Sequence, residues 1–283
     1  MWSGIGSDIV AELHVRPYHP EMSPEDNERH TARHIILIDP DSQTSEEAAK
    51  RCIAAVIAGS KMIFVGGSTG TDSDNVHETV KAIQEALELC SWNSSQNSSS
   101  DSEMWEIPVV LFPAAANAFS PAADAITFMM LMNSTSPKFL IEEQVKGAIL
   151  IKQANVTPIS MGYIVCAPGG KVGEVGQANL IEFNDIELIS SYAICAESYG
   201  FSSIYLEAGS GSKRPVSPEL IKAVRRSCDL TILVGGGIKD GKTAHIAVNA
   251  GADWIVTGNL TEGFSDAHEL QTTLQTFISE MNA

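Results

Sequence analysis

The sequence predicts an α/β fold, a (β/α)8 barrel with a reduced or missing third helix. Three observations carry this. Eight short apolar runs alternate with helix-like segments along 283 residues, the pattern of parallel strands joined by crossover helices. The last two runs each leave through glycine: Leu233-Val234-Gly235-Gly236-Gly237-Ile238, then Ile255-Val256-Thr257-Gly258-Asn259. Paired exits of this kind, after the last two strands, are where such a barrel builds a phosphate site. An open doubly wound sheet would instead place GxGxxG at its first turn, and the chain does not open with one. The length suits one barrel domain over residues 1–283, the usual ~250 residues plus an insertion.

Residues 1–32 are polar, with Pro17, Pro20 and Pro24, and read as an N-terminal extension holding a short helix near residues 8–13. The first strand is His34-Ile35-Ile36-Leu37-Ile38, β-branched and closed by Asp39-Pro40-Asp41. Residues 44–58 form a helix, with Glu46 and Glu47 in its first turn and Gly59 as its stop. A second strand, 62–65, exits into Gly66-Gly67-Ser68-Thr69-Gly70. Val76, Val80, Ile83 and Leu87 give residues 74–89 a helical period. Residues 91–104 are Ser- and Asn-rich with little to bury, and read as a mobile surface loop.

The third strand spans 107–112. Residues 113–124 are too rich in alanine and proline for a full helix, hence the reduced or missing third one. Strands at 126–132 and 157–166 flank a helix at 142–153, and Pro168-Gly169-Gly170-Lys171-Val172-Gly173 reads as a flexible exit. A helix over 185–199 is closed by Gly200. The sixth strand is Ser203-Ile204-Tyr205-Leu206-Glu207. A helix over 218–226 follows, capped by Ser217 with Pro218 first. Residues 242–250 and 266–281 supply the last two helices.

The net charge of −17 argues against a nucleic-acid partner, which needs a basic face. It leaves phosphorylated small molecules open, because local N–H groups and a metal override net charge. Five scattered cysteines without a CxxC pair read as reduced thiols of a cytoplasmic protein. The start of the chain lacks the apolar core of a secretory signal, and no apolar run reaches the ~18 residues of a membrane span. The Asn-x-Ser/Thr triplets at Asn93, Asn97, Asn133 and Asn155 then read as chance. His30 and His34 lie four apart without the Glu of a zinc-protease motif, too weak a pattern for a metal.

In a barrel of this kind the active site lies at the C-terminal ends of the strands. Asp39, Ser68, Glu207, Ser210 and Asn259 gather there with Gly236, Gly237 and Gly258. Asp39 and Ser68 offer a sparse oxygen site for Mg2+, with substrate phosphates and water filling the rest. Asp39 also suits capping the turn before Pro40, Asp41 offers a second carboxylate, and Ser68 suits a plain turn. Glu207 ends an apolar strand, where an unpartnered carboxylate is costly. Binding hydroxyl groups or acting as a general base fits it.

Tyr205-Leu206-Glu207-Ala208-Gly209-Ser210-Gly211, Val234-Gly235-Gly236-Gly237-Ile238 and Val256-Thr257-Gly258-Asn259 resemble the motifs of the geranylgeranylglyceryl phosphate synthase family. So do Leu37-Ile38-Asp39-Pro40-Asp41, Val65-Gly66-Gly67-Ser68, and Gly162-Tyr163-Ile164-Val165 before the Pro168 exit. The similarity runs over residues 34–259. It implies a modified TIM barrel that joins geranylgeranyl diphosphate to the C3 hydroxyl of sn-glycerol 1-phosphate, the first ether bond of archaeal membrane lipids. By the same resemblance Asp39 and Ser68 hold Mg2+. Tyr205, Leu206, Glu207, Ala208, Gly209, Ser210 and Gly211 cradle glycerol phosphate, with Glu207 on its hydroxyls. Gly236, Gly237, Gly258 and Asn259 bind its phosphate, and Tyr163 lines the site. Such enzymes assemble as homo-oligomers, from dimers to larger rings.

The chain departs from the family pattern in the 91–104 loop and at Glu174, where an aromatic residue is expected. Lys171 reads as a diphosphate contact or as a solvated lysine. Residues 112–119 and 129–132 read as a groove for the tail or as ordinary core. A C20 substrate implies peripheral contact with membrane, although no basic amphipathic anchor stands out. The competing readings are a prenylglyceryl phosphate synthase of another chain length, an isomerase or lyase of the tryptophan or histidine pathway, and a non-catalytic phosphate-binding barrel.

Overall fold

Eight parallel strands pair in sequence order and close on themselves, as the alternation predicts. The computed structural model describes Ile9 and residues 31–96, 100–264 and 266–283. The strands are β1 Arg33–Ile38, β2 Met62–Val65, β3 Val109–Leu111, β4 Ala125–Leu131, β5 Thr157–Val165, β6 Ser203–Glu207, β7 Thr231–Gly235 and β8 Trp254–Thr257. β1 closes the ring on β8, with Ile35 opposite Val256.

Strand side chains alternate between two cores, since successive residues point to opposite faces. Ile35, Phe64, Val110, Met161, Tyr205 and Trp254 fill the barrel interior together with Ile9. Their neighbours Ile36, Ile63 and Val109 point outward to one group of helices. Ile204, Leu206, Val234 and Ile255 point outward to another. The apolar runs are continuous because both faces of a parallel sheet are covered.

The helices are α1 Ser45–Ala58, α2 Ser73–Gln96, α3 Glu143–Ala154, α4 Gly170–Val175, α5 Ile186–Ser198, α6 Pro218–Ser227, α7 Gly241–Asn249, α8 Asn259–Glu262 and α9 Ala267–Met281. α1 opens with a capping box between Thr44 and Glu47 and closes on Gly59 in the left-handed region. Between β3 and β4 no helix forms, as expected; Pro113 and Pro121 interrupt that segment. A π-helical turn, Lys138–Glu142, leads into α3.

Two expectations are corrected. The chain is helical to Gln96 and forms a 3-10 helix over Ser100–Trp105, where the composition suggests a loop from residue 91. The Trp105 indole donates to Ser94 Oγ at 3.0 Å, a tertiary contact that composition does not reveal. The exit after β5 is also more ordered than its glycines suggest: it winds into α4, against whose Gly173 Leu180 packs. The helix expected at residues 8–13 lies outside the described residues except for Ile9, which is helical and buried.

Several polar residues serve the frame. His34 is buried, its ring nitrogens 2.8 Å from Ser60 Oγ and from Thr257 Oγ1; its companion His30 lies outside the described residues. Burial lowers the His34 pKa to about 3, so the ring is neutral. Asn133 is buried and bonds Val165 and Asn179 of the backbone, and Asn155 ends α3 in the left-handed region. These two asparagines of Asn-x-Ser/Thr triplets thus have structural uses. Arg225 and Asp253 form a buried ion pair, with Arg225 also donating to Gly251 O and Leu230 O.

Candidate active site

The C-terminal ends of the strands bring six of the predicted residues to one cleft, while Gly236, Gly237 and Asn259 stand outside its lining. Asp39 follows β1, Ser68 follows β2, Tyr163 lies on β5, Glu207 ends β6, and Ser210 and Gly258 stand on the exits of β6 and β8. All six line it. The cleft encloses about 1330 Å³, open solvent at its mouth included. Away from these polar residues it runs between the helix-less segment after β3 and the inner side of α3. Phe112, Ala115, Phe119, Phe128, Met129 and Ile151 line this arm. The Phe- and Met-rich stretches therefore line a groove as well as serving as core.

Glu207 is 6 % exposed. Its Oε1 accepts the Gly209 N–H at 2.6 Å, while the Ala208 N–H donates to Gly235 O at 3.1 Å. Burial raises its pKa, and the polar hydrogens of Gly209, Tyr205 and Ala208 nearby oppose the rise. Tyr205 and Tyr163 stay protonated far above the usual phenol range, through burial and then the Glu207 charge. Their rings pack at 5.2 Å, and Phe112 stands 5.7 Å from Tyr163 and 5.6 Å from Tyr205. This aromatic floor separates the polar mouth from the barrel interior.

The glycine turns answer to close approach. Gly236 has φ +80°, and a Cβ there would run into the Glu207 carboxylate and the amides of Ala208 and Gly209. Gly237, at φ +72°, would run into the carbonyl of Arg214. Only glycine tolerates both the dihedral and the contact. Across the mouth, Ser210 donates to Asn259 Oδ1, and Asn259 Nδ2 donates to Glu262 Oε2 at 2.8 Å. The β6, β7 and β8 exits thus form one polar rim.

Two members of the predicted set face elsewhere. Leu206 and Ala208 point outward into the helix-packed core. Alternation along β6 forces this: with Tyr205 and Glu207 turned inward, their neighbours turn away. Several lining residues escaped the sequence reading, charged and amide-bearing ones among them. Glu143 and Gln144 of α3 line the groove, and Glu262 lines the mouth near Asp39. Acids in a first helical turn read as dipole partners, so the sequence held no separate signal for Glu143.

At the other end of the mouth, Asp39 Oδ1 accepts the Asp41 N–H at 3.0 Å, so part of Asp39 does cap its turn. Burial raises the Asp39 pKa, the Asp41 N–H opposes this, and the charges of Asp41 and Glu262 add to it. Among the described residues no three His, Cys, Asp or Glu converge as a metal cage. The donor set is hard oxygen, one carboxylate and one hydroxyl facing an open cleft. That set fits a cation such as Mg2+, which keeps water and substrate phosphates as its other ligands, and does not fit a closed structural metal.

Known proteins match this chain over nearly its whole length. A geranylgeranylglyceryl phosphate synthase of Methanococcoides burtonii is 42% identical over 243 residues, covering 86% of this chain and 91% of that protein. The crystal structure of (S)-3-O-geranylgeranylglyceryl phosphate synthase from Thermoplasma acidophilum in complex with sn-glycerol-1-phosphate superposes with a TM-score of 0.79 and 34% identity. It covers 91% of this chain and 96% of its own. The wild-type enzyme of Thermoplasma volcanium gives a TM-score of 0.81 at 35% identity, covering 97% of each chain. The PcrB family model matches residues 27–277; with the closed barrel and its polar mouth, this establishes that the chain belongs to the PcrB family.

Proposed function

We propose that this chain is a phosphoglycerol geranylgeranyltransferase, joining geranylgeranyl diphosphate to the C3 hydroxyl of sn-glycerol 1-phosphate to make the first ether bond of archaeal membrane lipids. The observation that carries the reading is one cleft with three parts: an acid-and-hydroxyl end at Asp39 and Ser68, a polar rim around Glu207, and an apolar arm between them and α3. A phosphorylated triol and a long diphosphate ester need those three parts together. The relatives named above support both substrates by their names, and the Thermoplasma acidophilum complex supports the first directly.

Mg2+, when bound, neutralises charge on the diphosphate as it leaves. In our reading Asp39 and Ser68 hold that ion. Gly236, Gly237, Gly258 and Asn259 take the phosphate of glycerol phosphate, since backbone N–H groups at glycine turns suit an anion. Tyr163 and the Tyr205–Gly211 stretch shape the rest of its pocket. Glu207 orients the C3 hydroxyl and accepts its proton. The oxygen bonds to C1 of the prenyl chain, and the C1–O bond breaks with its electron pair leaving on diphosphate. A raised pKa makes Glu207 a better proton acceptor than an ordinary carboxylate, while the Gly209 N–H keeps it aimed. The apolar arm takes the tail. We place the reaction in the cytoplasm, with the tail drawn from a membrane surface. Among the described residues no helix is long and apolar enough to cross a membrane, and the five cysteines are free thiols.

The test is a product assay with geranylgeranyl diphosphate and Mg2+, with sn-glycerol 1-phosphate and its 3-phosphate enantiomer in parallel. Ether product from the 1-phosphate alone, abolished by EDTA and restored by Mg2+, is the expected result. No product from either enantiomer, in a folded sample, would sink the reading and leave a phosphate-binding barrel. Product that survives EDTA would refute the metal.

A further inference from the structure

The two walls of the apolar arm differ in secondary structure. One is α3. The other is the segment between β3 and β4, which has no helix of its own. On its far side that segment is tied to α2: Ser73 Oγ donates to Asn117 O at 2.7 Å, and His77 meets Ser120 Oγ at 2.9 Å. On the side of α3 its tie is Glu143, whose Oε2 accepts the Ala116 N–H at 2.9 Å.

Glu143 is an unusual residue for an apolar groove. Its side chain is only 14% exposed, and a carboxylate so placed is costly unless it is bonded. Its other oxygen pairs with Lys146 at 2.7 Å, a lysine 58% exposed, so that pair is screened and contributes little. The bond to Ala116 is the one that spans the groove. One turn along, Gly147 lies beside Ala116: a Cβ there would sit 3.7 Å from the Ala116 methyl, an ordinary van der Waals distance. The neighbouring Gln144 pins the same turn, its Nε2 donating to Met129 O on β4 and to Phe139 O in the π-helical turn.

We propose that Glu143 is a positioning residue for the prenyl tail: by accepting the Ala116 N–H it braces the helix-less wall against α3 and sets the width of the groove. The assignment rests on reading the cleft as the prenyl site. Glu143 acts through Ala116 and not on the reacting atoms, so its loss is felt by one substrate only.

Steady-state kinetics of the full chain test it. Removing a charge-assisted hydrogen bond in Glu143→Ala is expected to raise KM for geranylgeranyl diphosphate roughly tenfold. KM for sn-glycerol 1-phosphate and kcat stay within about twofold, the scatter of a surface substitution. Glu143→Gln keeps an acceptor and returns the prenyl KM to within about threefold of the natural chain. Lys146→Ala, which removes only the ion pair, behaves as the natural chain. Glu143→Leu fills the same space without an acceptor; it is expected to match Glu143→Ala and stands in for it should the smaller residue unfold the helix. Unchanged prenyl KM in both Ala and Leu variants would overturn the proposal. So would equal rises in both KM values, or a Gln or Lys146→Ala variant as impaired as Glu143→Ala. A natural chain that makes no ether product is a separate result, defeating the function and this assignment with it; loss confined to the variants touches the brace alone.

Discussion

Glu207 is held at a cost that its own pKa reveals. Burial raises that pKa above the ordinary carboxylate value, so between the two values the folded chain binds more protons than the unfolded one. Stability then falls as pH rises through that window. Glu207→Gln removes the ionised group and keeps its shape. We expect a higher Tm at pH 7 together with a kcat reduced roughly 100-fold, the scale of a lost general base. Calorimetry and the product assay read the two effects separately, and near-normal turnover would refute a required carboxylate. His34 has the opposite sign. Its folded pKa of about 3 lies below the unfolded value of ~6.5. The unfolded chain therefore takes up the extra proton as pH drops, costing at most ~1.4 kcal/mol per pH unit. His34→Gln should lose less Tm between pH 7 and pH 5 than the natural chain; an equal loss in both would place the acid sensitivity elsewhere. Asp39→Asn belongs to the same scale. It should weaken Mg2+ binding more than tenfold in titration calorimetry, since a carboxylate is replaced by a neutral donor; unchanged affinity would move the ligand to Asp41 or Glu262.

At the scale of elements, what was legible followed periodicity. The eight strands, the helix after Ser217 and the break after β3 all announce themselves through apolar runs, the Ser217 cap, and Pro113 and Pro121. Features set by contacts between distant segments did not. Residues 91–96 stay helical although polar, with Trp105 anchoring Ser94. α4 forms from a glycine-rich stretch because Leu180 and Val165 pack on it. The site divides the same way. Glu207 stood out because a carboxylate ended an apolar strand, whereas Glu143 was hidden among ordinary first-turn acids. The Arg225–Asp253 pair was equally silent, since neither residue sits in a motif. It joins α6 to the entry of β8, and Asp253 Oδ2 also accepts the Ile232 N–H at 2.7 Å. Asp253→Ala leaves a buried guanidinium uncompensated, which costs about 3–5 kcal/mol. The midpoint of urea unfolding should drop accordingly; a loss under about 1 kcal/mol, the size of a surface pair, would show the arginine finding other partners.

On the scale of the whole molecule, a chain of net charge −17 repels its own copies, yet its outer surface is not uniformly polar. Ile141, Val145 and Ile149 are 51%, 64% and 71% exposed. Spaced four apart, they make one stripe along α3 and the turn before it, beside the gap left by the missing helix. On α5, Ile186, Leu188 and Ile194 are likewise exposed. Clustered apolar side chains of this kind mark a surface that another molecule covers. A second copy of the chain is the expected occupant, in keeping with the homo-oligomer that the resemblance implies. Light scattering at micromolar concentration should then give at least twice the chain mass of 30.2 kDa. Because apolar burial drives the contact, added salt should leave the assembly intact or tighten it, by screening the net repulsion. Placing acids on the stripe, Val145→Glu with Ile149→Glu, should return the monomer. A natural chain already at monomer mass would assign the stripe to another partner, and an assembly that survives both glutamates would locate the interface on a different face.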